Sequence, residues 1–129
     1  MTARSMPVAN LRLKRVYELP APDDGIRILI DRLWPRGLSK EKAAVDHWMK
    51  DVAPSAELRK WFGHDPDRWP EFRRQYMAEL RQSGALLDQI CGLAGRGTVT
   101  LLFGAHDEEH NDAVVLQEVL MKRMQSRQA

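Results

Sequence analysis

An acid, two guanidinium groups and an indole fall within a six-residue span, at Asp31, Arg32, Trp34 and Arg36. Guanidinium forks suit a phosphate or carboxylate in bidentate geometry. Asp31 has the chemistry of a general base, a metal ligand, or the partner that orients an arginine. Trp34 can stack on a planar ligand, or fill the core as tryptophan usually does. The competing role for the group is internal: an ion-pair network of Asp31 with Arg32 and Arg36 that fixes a turn.

A second group follows later in the chain, at His106, Asp107, His110 and Asn111. His106 and His110 are four residues apart, the spacing that puts two imidazoles on one helix face for a metal. Asp107, however, reads as the cap of the last helix, which leaves His106 outside it. With no third ligand in view, no metal is assigned. Asn111 offers a neutral donor and acceptor for fixing a substrate, with His110 beside it. His64 can carry a proton near neutral pH, or simply join two helices while Asp65 caps the second. Lys14, with Arg15 and Tyr17, reaches the same site if its strand lies beside the others; otherwise it lies on a solvated face. Asp31 and His64 are therefore the candidate proton carriers. Arg32, Trp34, Arg36, Asn111, Lys14 and His110 are the candidate ligand contacts. Cys91 sits among Leu87, Ile90 and Ala94 and reads as a core thiol. There is no phosphate loop, dinucleotide fingerprint, nucleophile elbow or paired Cys-x-x-Cys, so no motif indicates a cofactor.

The elements that must position these groups are legible from periodicity. Leu11 to Tyr17 alternates apolar and basic residues, as a strand with one wet face does. Ile26 to Leu33 is a near-continuous apolar run, which fits a strand buried on both sides. Its carboxyl end delivers Asp31 to Arg36, and the carboxyl ends of strands are where open α/β folds commonly bind ligands. Ser39 caps a short helix to Ala44, and Val45 to Met49 alternates like a third strand. Ser55 begins a helix with Leu58, Trp61 and Phe62 on one side, ended by Gly63. Asp65-Pro66 begins the next, which carries Trp69, Phe72, Arg73, Tyr76 and Leu80. Ser83 caps a third, which Gly95-Arg96-Gly97 breaks. Thr98 to Phe103 is a second buried strand, and Asp107 starts a final helix with Ala113, Leu116, Leu120 and Met124 inward. Strands separated by helices predict an α/β fold. The expectation is a single three-layer-type domain over residues 11–124, with a small mixed or mostly parallel sheet flanked by helices. A loose start over 1–10 and a frayed tail over 125–129 complete it.

The chain has 129 residues, enough for one domain with a sizeable core. Twenty basic against 18 acidic residues leave a formal charge of +2, too near balance for a strong electrostatic case for nucleic acid. The single cysteine, Cys91, cannot form an internal disulfide, which points to a reducing compartment. No stretch approaches the roughly 20 apolar residues that span a bilayer. The start lacks a signal peptide's apolar run. A soluble cytoplasmic protein without a membrane partner is the expectation.

Several strings carry a family resemblance: Lys14-Arg15-Val16-Tyr17, Asp24-Gly25, Asp31 to Gly37, Ala53-Pro54-Ser55, Glu57-Leu58-Arg59-Lys60, and Thr100-Leu101-Leu102 with His110-Asn111. Over about residues 11 to 122 the chain resembles the YeaO-like bacterial proteins of domain of unknown function 488. The resemblance implies no established activity. Broader relatives carry a cysteine-histidine-arginine string where this chain has Glu109-His110-Asn111, so any thiol chemistry of theirs is not expected here. The functional expectation is a small anionic ligand, phosphate- or carboxylate-bearing, at the carboxyl ends of the strands. Hydrolysis or group transfer is the enzymatic version. A nucleic-acid or regulatory module without catalysis is the alternative, with Lys14, Arg15, Arg32 and Arg36 along a backbone and Trp34 on a base.

Overall fold

A computed structural model describes residues 10–128, so the loose start expected before Asn10 lies outside the described residues. Four strands make one sheet: β1 (Leu11–Arg15), β2 (Ile26–Leu29), β3 (His47–Trp48) and β4 (Val99–Phe103). Their spatial order is β1-β4-β2-β3, and every pairing is parallel. β4 lies between β1 and β2, and all five of its residues are buried. That is the environment its unbroken apolar sequence calls for. Five helices accompany the sheet: α1 (Lys40–Ala43), α2 (Ala56–Phe62), α3 (Trp69–Leu80), α4 (Gly84–Ala94) and α5 (Asp112–Gln128).

Apolar clusters form on both sides of the sheet, and they are unequal. Ile28, Ile30, Leu101 and Phe103 pack with Phe72, Tyr76, Leu87, Ile90, Leu116 and Leu120 in the main core. Val16, Leu29, Ala43 and Leu102 form a small second cluster, against which Trp34, Leu38 and Val45 pack. The expected three-layer arrangement is therefore present with one thick layer and one thin one. No helix of the described residues is long and apolar enough to cross a membrane.

Local chemistry explains most boundaries. Ser39 accepts the Lys42 N–H at 3.1 Å and Ser55 accepts the Leu58 N–H at 3.1 Å, satisfying helix donors that have no carbonyl partner. Gly63 closes α2 in the left-handed region, at φ 53°. Gly25 opens β2 at φ 66°, and a Cβ there would lie 2.1 Å from the Thr98 carbonyl oxygen, so only glycine fits this approach of β2 to β4.

β1 and β2 are shorter than expected. β1 stops at Arg15 and β2 at Leu29. Beyond β2 the ladder continues one step, Ile30 N–H to the Leu102 carbonyl at 3.1 Å. The Asp31 carboxylate then takes the next donor, the Gly104 N–H, at 2.8 Å. A side chain thus replaces the strand's backbone where the pairing ends.

Other expectations need correction. Asp107 does not cap the last helix, which begins five residues later at Asp112. Asp107 instead folds a turn, accepting the Glu109 and His110 N–H groups at 2.9 and 3.0 Å. An aspartate that caps and one that makes such a turn use the same local bonds, so sequence does not separate them. Ser83 stands at the start of α4 without a side-chain cap bond. Trp61 is 40% exposed beside the buried Leu58 and Phe62, and Arg68 lies over its ring. α5 is helical through Gln128.

Candidate functional site

The segments that leave β2 and β4 run side by side, and the Asp31–Gly104 bond ties them. Gly104 permits this closeness: a Cβ there would sit 3.3 Å from the Asp31 Oδ2, tighter than ordinary contact. Arg15 fixes the second segment from the β1 side, donating from Nε to the Ala105 carbonyl at 2.9 Å and from Nη2 to Gly104 at 3.4 Å. Asn111 then starts α5. Its Oδ1 accepts the Val114 N–H at 3.1 Å and its Nδ2 donates to the Asp107 carbonyl at 2.9 Å.

Between these segments and α2–α3 lies a cavity of about 550 Å³, within the range of small-molecule sites. Asp31 to Pro35 line one side and Gly104 to Asp107 with Asn111 and Asp112 another. Ala53, Pro54, Arg59, Phe62, His64 and Phe72 complete it. The walls thus mix aromatic and aliphatic surface with charges of both signs. Trp34 is held rather than free: its Nε1–H donates to the Leu38 carbonyl at 2.8 Å, and its ring meets Trp48 edge-on at 5.4 Å. The Trp48 Nε1–H donates to the Asp31 carbonyl at 2.8 Å, which fixes the backbone at the site's first acid.

Two features of the electrostatics are decisive. First, the Arg32 Nε is buried and lacks a hydrogen-bond partner among the described residues. Leaving a buried donor unmet costs about 1–3 kcal/mol, more on a charged group, so such an atom calls for a partner. No ion pair among the described residues joins Asp31 to Arg32 or Arg36, so the expected alternative network does not account for it. Second, Asp112 stands within hydrogen-bonding reach of Asp31. Burial, and then the charge of Asp31, push the Asp112 carboxyl well above the ordinary carboxylate range. Beneath them, the buried Tyr76 hydroxyl donates to the Val52 carbonyl at 2.5 Å. Burial raises its pKa, and the nearby Asp112 and Asp31 raise it further.

The structure brings Asp31, Arg32, Trp34, His64 and Asn111 to this cavity. His64 has an unusual backbone for a non-glycine residue, at φ 60°, and its ring leans on Phe62 at 6.2 Å. Lys14, Arg36 and His110 are not among the lining residues. Lys14 instead meets Asp24 at 3.1 Å, beside the buried Arg27, which reaches Asp24 at 2.5 Å. Burial alone would raise the Asp24 carboxyl, but the Ala21 N–H, Lys14 and Arg27 together hold it below its usual value. Arg36 is exposed, and its carbonyl accepts the Tyr17 hydroxyl at 3.0 Å. The His110 Nδ1 contacts Asp107 at 2.9 Å, and its ring meets Trp69 edge-on at 5.2 Å. The Glu109 N–H, and then His110, hold the Asp107 carboxyl below its ordinary range.

Asp112 and Arg59 are cavity residues that the sequence did not single out. A signal for Asp112 was present. Asp112, Leu116, Leu120 and Met124 follow each other at steps of four, so the acid continues the buried stripe of α5. An acid in line with a core stripe at a helix start faces inward, unlike the solvated Glu108 and Glu109.

Comparison with known proteins agrees with the family resemblance that these strings carry. The profile of the family described as the inactive DUF488-N3 subclade matches residues 10–129. An uncharacterized protein of Mycobacterium tuberculosis is 44% identical over 114 residues, covering 88% of this chain and 96% of its own. One from Mycobacterium bovis matches to the same extent. The uncharacterized protein YeaO of Escherichia coli is 42% identical over 111 residues, covering 86% of this chain and 96% of its own. No solved structure matches.

Proposed function

The chain belongs to the YeaO-like family of domain of unknown function 488, in its inactive DUF488-N3 subclade, and on that premise we propose that its cavity binds a small anion-bearing molecule without turning it over. The observation that carries this reading is the Arg32 Nε, buried at the cavity wall with no partner among the described residues. A carboxylate or phosphate oxygen is the partner that guanidinium geometry prefers. Arg59, exposed at the same cavity, adds a second positive charge. Trp34, Phe62 and Phe72 supply apolar wall for the body of the molecule. The subclade's description as inactive supports binding over catalysis, and so does Glu109 in place of the thiol of broader relatives.

The test is a thermal-shift series with orthophosphate, benzoate and 3-phenylpropionate on the wild type, Arg32→Gln and Arg36→Gln. At a ligand concentration 100 times Kd, binding stabilises by about 2.7 kcal/mol. At least one anion raises the wild-type melting temperature in a saturable way. Arg36→Gln keeps that rise and Arg32→Gln loses it. An equal rise in wild type and Arg32→Gln, or none with any anion, overturns the reading.

A further inference from the structure

We propose that the molecule whose anion meets Arg32 also carries an ammonium group seated against Asp31 and Asp112, so that the ligand is a zwitterion with an apolar body. The inference rests on the anion-binding reading and extends it to the ligand's other end.

The charge layout of the cavity is the argument. Asp31 and Asp112 face the same space as Arg32. A compact anion can meet Arg32 while avoiding them, but an extended polyanion would bring negative charge onto two carboxyl groups. Like charges at such separations are costly in a partly dry site. Asp31 has its Oδ2 committed to the Gly104 N–H. The side chain of Asp31 is thus fixed before any ligand arrives, as a binding contact should be. Trp34 is similarly locked by its bond to Leu38. The aromatic and proline surface between the charged groups accommodates an apolar body, and about 550 Å³ admits an amino-acid-sized molecule.

The half-buried position of the acid pair gives it a reason to take a cation. Without one, desolvation and the neighbouring Asp31 charge favour the protonated form of Asp112 over the ionised one. An ammonium group offers three donors and a full positive charge to the same oxygens. It therefore substitutes for the proton and pairs both carboxylates at once. A neutral hydroxyl or amide would meet the pair with less electrostatic gain.

Calorimetric titration with three probes of one shape separates the possibilities: L-phenylalanine, 3-phenylpropionate and 2-phenylethylamine, on the wild type and on Asp112→Asn. Phenylalanine binds the wild type about tenfold or more tighter than phenylpropionate, the order expected for one well-placed charge pair. In Asp112→Asn that preference falls below about threefold, while phenylpropionate binding changes little, because the amide stands in for the neutral acid. Phenylpropionate binding as tightly as phenylalanine to the wild type overturns the zwitterion inference and leaves the anion site standing. Binding of neither carboxylate compound overturns the zwitterion inference, and the anion reading falls with it when orthophosphate and benzoate also fail to bind. Because the wild-type probe ranking alone can decide the outcome, a poorly folding variant does not shield the proposal.

Discussion

Asp112 is where residue-scale forces compete most openly. As the first residue of α5 its ionised form gains from the helix N-terminus, an effect of about 0.3–1 kcal/mol at exposed sites. Burial and the neighbouring Asp31 outweigh it, since the net direction is upward. The consequence for stability follows from linkage. A carboxyl raised on folding lets the native state hold a proton that the unfolded chain has released. Its contribution is fully retained below the unfolded pKa of about 3.9 and declines as pH rises from there through the folded value. Asp112→Asn removes that decline. The variant therefore melts a few degrees above the wild type at neutral pH, and the gap narrows as pH falls toward 4. A gap independent of pH, measured by thermal denaturation across that range, contradicts the assignment. Asp24 and Asp107 run the other way. Their lowered carboxyls stabilise above the ordinary carboxylate range and lose that contribution as acid protonates them.

At the scale of elements, α5 depends on Asn111 for its start. Asn111 is 3% exposed and spends both ends of its amide, one on the Val114 N–H and one on the Asp107 carbonyl. Asn111→Ala should cost about 1–2 kcal/mol, and Asn111→Ser should recover part of that through its hydroxyl acceptor. Urea midpoints that do not separate the three proteins would show that the helix start is held some other way. This dual bonding also explains what sequence could and could not reveal. The buried strands β2 and β4, the Ser39 and Ser55 caps and the α5 stripe follow from local pattern, and each was legible. The start of α5 was not, because Asp107 and Asn111 are equally good caps in isolation. Only the packing of β4 against α5 decides between them. The same holds for Lys14: its charge suggested a ligand contact, while its actual partner Asp24 lies ten positions on and becomes visible only once the chain has turned back.

At the scale of the whole molecule, the site is a product of topology. A parallel sheet sends the carboxyl ends of β2 and β4 to the same edge, and their pairing sets Asp31 beside Gly104. The sequence could therefore mark both segments as candidates while leaving their meeting point open. The thick layer of α3–α5 supplies Phe72 and Asp112 from behind, and α2 contributes Arg59 and Phe62. Near-neutral overall charge leaves local charges to decide what enters. The central claim is that the Arg32 guanidinium awaits an anion. The measurement that tests it most directly is the arginine Nε–H region of a ¹⁵N NMR spectrum during titration with 3-phenylpropionate. The Arg32 Nε–H resonance should move saturably together with the Gly104 amide, while that of Arg74, paired with Glu71 outside the cavity, stays in place. An Arg32 resonance that does not move, or that moves only in step with exposed arginines, would contradict the account.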